Sequence, residues 1–231
     1  MLKEWDCLPE FMRISEVRPY WEALKKKESQ IVLKRLFDFV LALILFVILI
    51  IPMAVIAIMV KLDSPGPVFY RQERVTAYGK KFRIHKFRTM VNNADQIGSG
   101  VTVSDDERIT KTGRTLRRLR LDEIPQVIDI LEGTMSFVGT RPESVKYVRK
   151  YKPEYFATLL LPAGVTSEAS IRFKDEDKML SGAENIDQVY INDILPEKMR
   201  WNLEAIKTYS FIKDILTMAR TICAVAGKDE Q

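Results

Sequence analysis

From Phe39 to Val60 the chain runs for 22 residues without a charge. A helix rises ~1.5 Å per residue, so this run can reach across the ~30 Å hydrocarbon core of a bilayer. Few soluble domains contain such a segment, and a membrane is the first partner it implies. Pro52 complicates it. Proline lacks a backbone donor and clashes with the carbonyl four residues earlier, so it kinks or breaks a helix. Two courses remain open: a spanning helix that tolerates its proline, or a re-entrant helix that turns at Pro52 and returns to its starting side. Lys25, Lys26, Lys27, Lys34 and Arg35 precede the run, and Lys61, Arg71, Arg74 and Lys80 follow it. With cations on both flanks, the positive-inside rule assigns neither to the outer face.

About 170 residues follow the run, enough for one domain with its own core. The formal net charge of +5 suits anionic headgroups, phosphorylated substrates or nucleic acid, and the apolar run favours the first two. Cys7 and Cys223 form no C-x-x-C pair and His85 is the single histidine, which excludes a zinc framework or a disulfide scaffold. The run starts late, exceeds the apolar core of a secretory signal, and leads to no small-residue cleavage site.

Residues 1–33 read as a polar extension, with a short amphipathic helix over Tyr20–Lys27 behind Pro19. Asp63-Ser64-Pro65-Gly66-Pro67 is a turn cluster that closes the membrane segment. Val68–Val75 and Lys81–Met90 read as two strands joined at Gly79 into a hairpin, and Met90–Asp105 as a polar loop with Gly98 and Gly100. A basic helix is expected over Arg108–Leu121. A second is expected over Gln126–Leu131, where Ile124, Val127, Ile128 and Leu131 share one face. Met135–Val138 reads as a short strand, 139–143 as a turn into a helix ending near Lys150, and 161–164 as a loop. Ile171–Asp177 is too charged to place. One helix is expected over Glu197–Ala226, with a stripe from Ile212 to Ala226 and Gly227 as its stop.

Asp122-Glu123 is the pair most suited to chemistry. Acids just before a proline at a helix start are also what capping residues look like. Arg117, Arg118, Arg120 and Arg141 lie close in sequence, and such neighbours keep a carboxylate ionised, able to hold a divalent metal or act as a nucleophile. A helix N-terminus also favours a bound phosphate. Strand alternation places Lys86 and Arg88 on one face, where together they can meet a phosphate. His85 points the other way, with no paired carboxylate evident, and reads as structural.

Five segments in order resemble the bacterial sugar transferases, the monotopic phosphoglycosyl transferases. They are Lys34-Arg35-Leu36-Phe37-Asp38, Lys86-Phe87-Arg88-Thr89-Met90, Leu121-Asp122-Glu123-Ile124-Pro125-Gln126, Met135-Ser136-Phe137-Val138-Gly139 with Arg141-Pro142, and Pro162 with Gly164-Val165-Thr166. The resemblance spans about residues 32–226. It implies a re-entrant membrane helix turning at Pro52 and a catalytic domain on the cytosolic face of the bacterial inner membrane. The substrates implied are a UDP-sugar and a polyprenyl phosphate such as undecaprenyl phosphate. Asp122 would attack the β-phosphate, giving a phosphosugar-aspartyl enzyme and UMP, and the lipid phosphate would then take the sugar phosphate. Asp122 and Glu123 would hold Mg²⁺, and Lys86, Arg117 and Arg141 would meet phosphate. The family's usual residues differ at Ile51 before Pro52, Thr134, Thr140, Ser167-Glu168 and Asn202.

The expected fold is α+β and mostly helical: an extension (1–33), a membrane-inserted helix (34–62) and a catalytic domain (63–231) with a small β-hairpin. Self-association through the anchor or extension is compatible with this organisation. A non-catalytic scaffold held on anionic lipid is the alternative. A nucleic-acid-binding role would leave the apolar run and the acidic pair unused.

Overall fold

The computed structural model describes residues 2–94, 106–180 and 185–225. Its longest element is α2 (Glu28–Asp63), a helix of 36 residues with Pro52 inside it. Pro52 does not end the helix, and helical structure carries through it to Asp63. Only 17 % of its most apolar stretch is buried, which separates it from the core helix of a soluble protein. Val47, Ile48, Ile51 and Ile58 are exposed, while Ala42, Met53, Ile56 and Val60 face inward.

Both ends of α2 are tied to the same globular body. Near its start, the Arg35 guanidinium donates to the carbonyls of Met135 (3.0 Å) and Ile130 (3.1 Å). At its end, Asp63 Oδ2 accepts from the Thr112 amide at 2.9 Å. Arg88 donates to the carbonyls of Val60, Ser64 and Pro65. Carbonyls in the last turn of a helix have no intrahelical partner, and Arg88 fills that need here.

The hairpin forms as the alternation predicts, in two antiparallel pieces sharing one register. β1 (Phe69–Tyr70) pairs with β4 (Lys86–Phe87), and β2 (Glu73–Val75) with β3 (Lys81–Arg83). Arg71–Gln72 and Ile84–His85 interrupt the ladder. Gly79 and Tyr78 take positive φ in the turn. Beyond it lie α3 (Lys111–Arg118), α4 (Gln126–Glu132) and β5 (Met135–Val138). The stretch read as a loop at 161–164 instead enters a strand, β6 (Ala163–Thr166), parallel to β5. Two glycines make this pairing possible. A side chain on Gly164 would meet the Gly139 backbone nitrogen at 2.2 Å. The turn at 139–143 leads to α5 (Val145–Val148), shorter than expected.

The charged stretch after Thr166 holds α6 (Glu168–Arg172) and α7 (Glu176–Met179). α8 (Ile186–Val189), a π-helical turn (Tyr190–Ile194) and α9 (Leu195–Lys207) follow. The single helix expected over Glu197–Ala226 is two, because buried Tyr209 turns the chain before α10 (Phe211–Val225). The α10 stripe finds no core: Ile212, Leu216 and Ile222 are exposed. Gly98, Gly100, Ala226 and Gly227 lie outside the described residues.

Two cores result. Leu2, Leu8, Met12, Val17, Trp21 and Leu24 pack with Leu195, Met199 and Leu203, so the extension is part of the domain. Its expected boundary at residue 33 falls inside α2, and α1 (Arg18–Lys25) stands in place of the helix over 20–27. The second core joins the inward face of α2 to Phe87, Leu116, Val127, Ile130 and Met135. Each such side chain contributes ~1.5–3 kcal/mol on burial, so α2 is fastened by packing as well as by its polar ends.

Candidate active site

Arg120 takes a left-handed conformation at φ 55° and starts a 3₁₀ turn over Leu121–Glu123. This backbone costs a non-glycine residue energy, and it turns the acidic pair away from the line of α3. α4 begins after Pro125, and no side chain caps it. The capping reading of Asp122-Glu123 is therefore not realised. The Glu123 carboxylate is instead a hub. Lys86 Nζ donates to Oε1 at 2.7 Å. The Arg141 guanidinium donates to both oxygens, through Nη1 to Oε2 at 3.2 Å and through Nη2 to Oε1. β4, the 3₁₀ turn and the turn after β5 thus meet at one carboxylate.

The charges are unevenly matched. Arg141 and Lys86 hold Glu123 well below the usual carboxylate range despite its burial. Burial pushes Lys86 down and Glu123 opposes it, while the charge of Glu123 raises Arg141. Asp122 differs. Burial raises its pKa first and the charge of Glu123 raises it further, with Lys86 and Arg117 opposing. Among the described residues its carboxylate makes no hydrogen bond or ion pair with another side chain. Its own backbone amide donates to it, and a partly desolvated carboxylate with no side-chain partner, beside a cavity, is a candidate for chemistry.

Of the six residues singled out from sequence, Asp122, Glu123, Lys86 and Arg141 come together, and Arg117 acts on Asp122 electrostatically. Arg88 does not join them. It is 5 % exposed and its fork is occupied by the carbonyls ending α2. The pairing of Lys86 and Arg88 on one phosphate is corrected accordingly: β4 ends at Phe87, and alternation past a strand end predicts nothing.

His85 is structural, but it does have a paired carboxylate. Its backbone nitrogen and Nδ1 each lie 2.9 Å from an Asp129 oxygen. With Glu132 these residues place three ligand atoms within 4.8 Å of one another. Both Asp129 oxygens are already engaged by His85, which reads as a clasp between the hairpin and α4.

A cavity of about 770 Å³ opens at Glu123 and Arg141. Arg117, Arg118 and Arg120 line one part of it, and Arg74, Glu143, Tyr190 and Lys198 another. Lys198 Nζ donates to Glu176 at 2.9 Å and to the Tyr190 hydroxyl at 3.2 Å, and that hydroxyl donates to Glu143. Sequence reading missed this buried group. Its one visible signal is Glu143 two residues after Arg141. The residues fit a magnesium ion in part. Mg²⁺ takes one or two carboxylates, with substrate phosphates and water completing its shell. Among the described residues Asp122 has no side-chain partner and Glu123 Oε2 accepts one hydrogen bond, from Arg141, which leaves lone pairs on both.

A family profile described as "Bacterial sugar transferase" matches residues 29–228. A UDP-glucose:undecaprenyl-phosphate glucose-1-phosphate transferase of Caulobacter vibrioides is 31 % identical over 199 residues, 85 % of this chain and 70 % of that protein. The Escherichia coli protein of the same name is 35 % identical over 195 residues, 82 % of this chain and 39 % of its own length. A UDP-N-acetylgalactosamine-undecaprenyl-phosphate N-acetylgalactosaminephosphotransferase of Aeromonas hydrophila is 33 % identical over 169 residues, 72 % of this chain. The chain spans only 37 % of the Aeromonas protein's length. With its matched region covering α2, the Asp122-Glu123 turn and α10, the chain belongs to the bacterial sugar transferase family.

Proposed function

We propose that this chain transfers a sugar 1-phosphate from a UDP-sugar to a polyprenyl phosphate at a membrane surface, releasing UMP. The observation that carries this reading is the contrast within the acidic pair. Glu123 is neutralised by Lys86 and Arg141, while Asp122 stands beside them half-buried, with no side-chain partner among the described residues. In the first step an Asp122 oxygen bonds to the β-phosphorus and the bond from that phosphorus to the bridging oxygen breaks. UMP leaves with the electron pair. In the second step an oxygen of the lipid phosphate attacks the same phosphorus, the aspartyl bond breaks, and the carboxylate is restored. Two displacements allow one site to serve a soluble donor and a lipid acceptor in turn.

Lys86 and Arg141 reach from Glu123 towards the transferring phosphoryl group, where fixed positive charge counters the charge that develops. Arg117, with Lys86, favours the ionised form of Asp122 against burial and the charge of Glu123. Asp122 and Glu123 Oε2 would hold Mg²⁺, which when bound supplies further charge neutralisation on the phosphates. α2 and α10 would seat the domain, with the exposed apolar residues of both in lipid. Both ends of α2 pack on one body, which supports a re-entrant helix with both flanks of the apolar run on the cytosolic face. The relatives' names supply UDP-sugars and undecaprenyl phosphate as the substrates to try.

The test uses membrane extract, undecaprenyl phosphate and a panel of UDP-glucose, UDP-galactose and UDP-N-acetylgalactosamine. Acceptor-dependent UMP release with one of these, abolished in Asp122→Asn, supports the reading. Release that survives the substitution removes Asp122 as nucleophile.

A further inference from the structure

Gln126 opens α4 three residues after Glu123 and lines the same cavity. It is 1 % exposed, and neither its amide oxygen nor its amide nitrogen has a hydrogen-bond partner. A primary amide carries two donors and an acceptor, and leaving it dry and unpaired costs more than a methionine of similar size would. Most buried polar groups are paired, and an exception calls for a specific role.

The position of Gln126 indicates the partner. Along α4 the lining passes from Gln126 to Val127 and Ile130, away from the charged pair. There it meets Leu45 and Leu49 of α2 and Val225 of α10. Both helices also carry exposed apolar residues, Val47, Ile48 and Ile51 on α2 and Ile212, Leu216 and Ile222 on α10. The cavity lining therefore includes an apolar arm contributed by α2, α4 and α10, and along α4 Gln126 stands between it and Glu123.

We propose that Gln126 is a binding residue for the lipid acceptor. The apolar arm takes the first isoprenoid units, and the amide NH₂ donates to the acceptor's phosphate as it approaches Asp122. Engagement turns the amide out of the cavity wall by a change of rotamer, without backbone movement. This rests on transfer to a polyprenyl phosphate as proposed above.

The experiment uses the full chain in nanodiscs, the UDP-sugar that the wild type turns over, and two variants. Gln126→Met keeps the volume and removes the hydrogen-bonding groups. Gln126→Glu keeps the shape and replaces the donor with an oxygen that repels phosphate. The expected result is an unchanged acceptor-free burst of UMP. The apparent KM for undecaprenyl phosphate should rise about tenfold in Gln126→Met, the size expected for one hydrogen bond to a charged group, and further in Gln126→Glu. The Tm of Gln126→Met should equal or exceed that of wild type. Undecaprenyl phosphate should raise the wild-type Tm more than that of Gln126→Met, and undecaprenol should not distinguish them. An equal loss of burst and turnover, or a lowered Tm with unchanged acceptor KM, overturns the assignment. If the wild type releases no UMP, the transfer reading fails, and the undecaprenyl phosphate shift in Tm still decides the role of Gln126.

Discussion

Lys86 Nζ lies 2.7 Å from Glu123 Oε1, and that contact joins the hairpin to the turn that opens α4. Arg141 completes the arrangement from the other side. Glu123 is thus the structural centre of the site, while its neighbour Asp122 has no such side-chain partners among the described residues.

The two acids should therefore respond in opposite directions to removal of their charge. Glu123→Gln leaves Lys86 and Arg141 partly buried beside a neutral amide, and should destabilise the fold by roughly 2 kcal/mol. Asp122→Asn removes a desolvated charge that repels Glu123, and should leave stability equal or raised. Thermal melts in detergent without added Mg²⁺ check both. The pH dependence follows the same logic. Although burial opposes it, Arg141 and Lys86 hold the pKa of Glu123 well below the ordinary glutamate value. Its contribution is present above that value and is lost as pH falls through the folded-state pKa. Glu123→Gln should flatten that part of the acid limb.

Arg88 and Arg141 should separate structure from transfer. Arg88→Ala removes the donors to three carbonyls at the end of α2, and should lower the Tm with the KM for the UDP-sugar unchanged. Arg141→Lys keeps the charge but loses the fork. Turnover should fall by about tenfold to a hundredfold. A UDP-sugar KM raised selectively by Arg88→Ala would return Arg88 to the phosphate site.

Topology can be read by labelling. With Cys7 and Cys223, both exposed, replaced by serine, single cysteines at Ser29 and Leu62 should react with a membrane-impermeant maleimide only after the cytosolic face is opened. Labelling of one flank from outside intact cells would make α2 an ordinary span.

Much of the frame was legible in sequence. The hairpin, α4 and β5 follow from alternation and from periodic apolar residues, which depend on local geometry. The segment at 161–164 was missed as a strand because Pro162-Ala163-Gly164 has turn chemistry, and only its pairing with β5 across Gly139 makes it extended. α9 and α10 looked like one helix because helical periodicity continues through Thr208–Ser210. What divides them is the burial of Tyr209, a tertiary effect. The membership of the site was likewise legible only in part. Motif order brought Asp122, Glu123, Lys86 and Arg141 together. Nothing local shows that Arg88 serves α2, or that Gln126, Tyr190 and Lys198 line the same cavity. Those facts depend on contacts between residues far apart in the chain.

The most direct test is intact-protein mass spectrometry after incubation with the accepted UDP-sugar and Mg²⁺, without lipid acceptor. With Asp122 as nucleophile, one sugar phosphate is added per chain and maps to the peptide that contains Asp122. About one equivalent of UMP appears with it, and the adduct is lost when undecaprenyl phosphate is supplied. Acceptor-dependent UMP release with no adduct, or an adduct that persists in Asp122→Asn, would contradict that role.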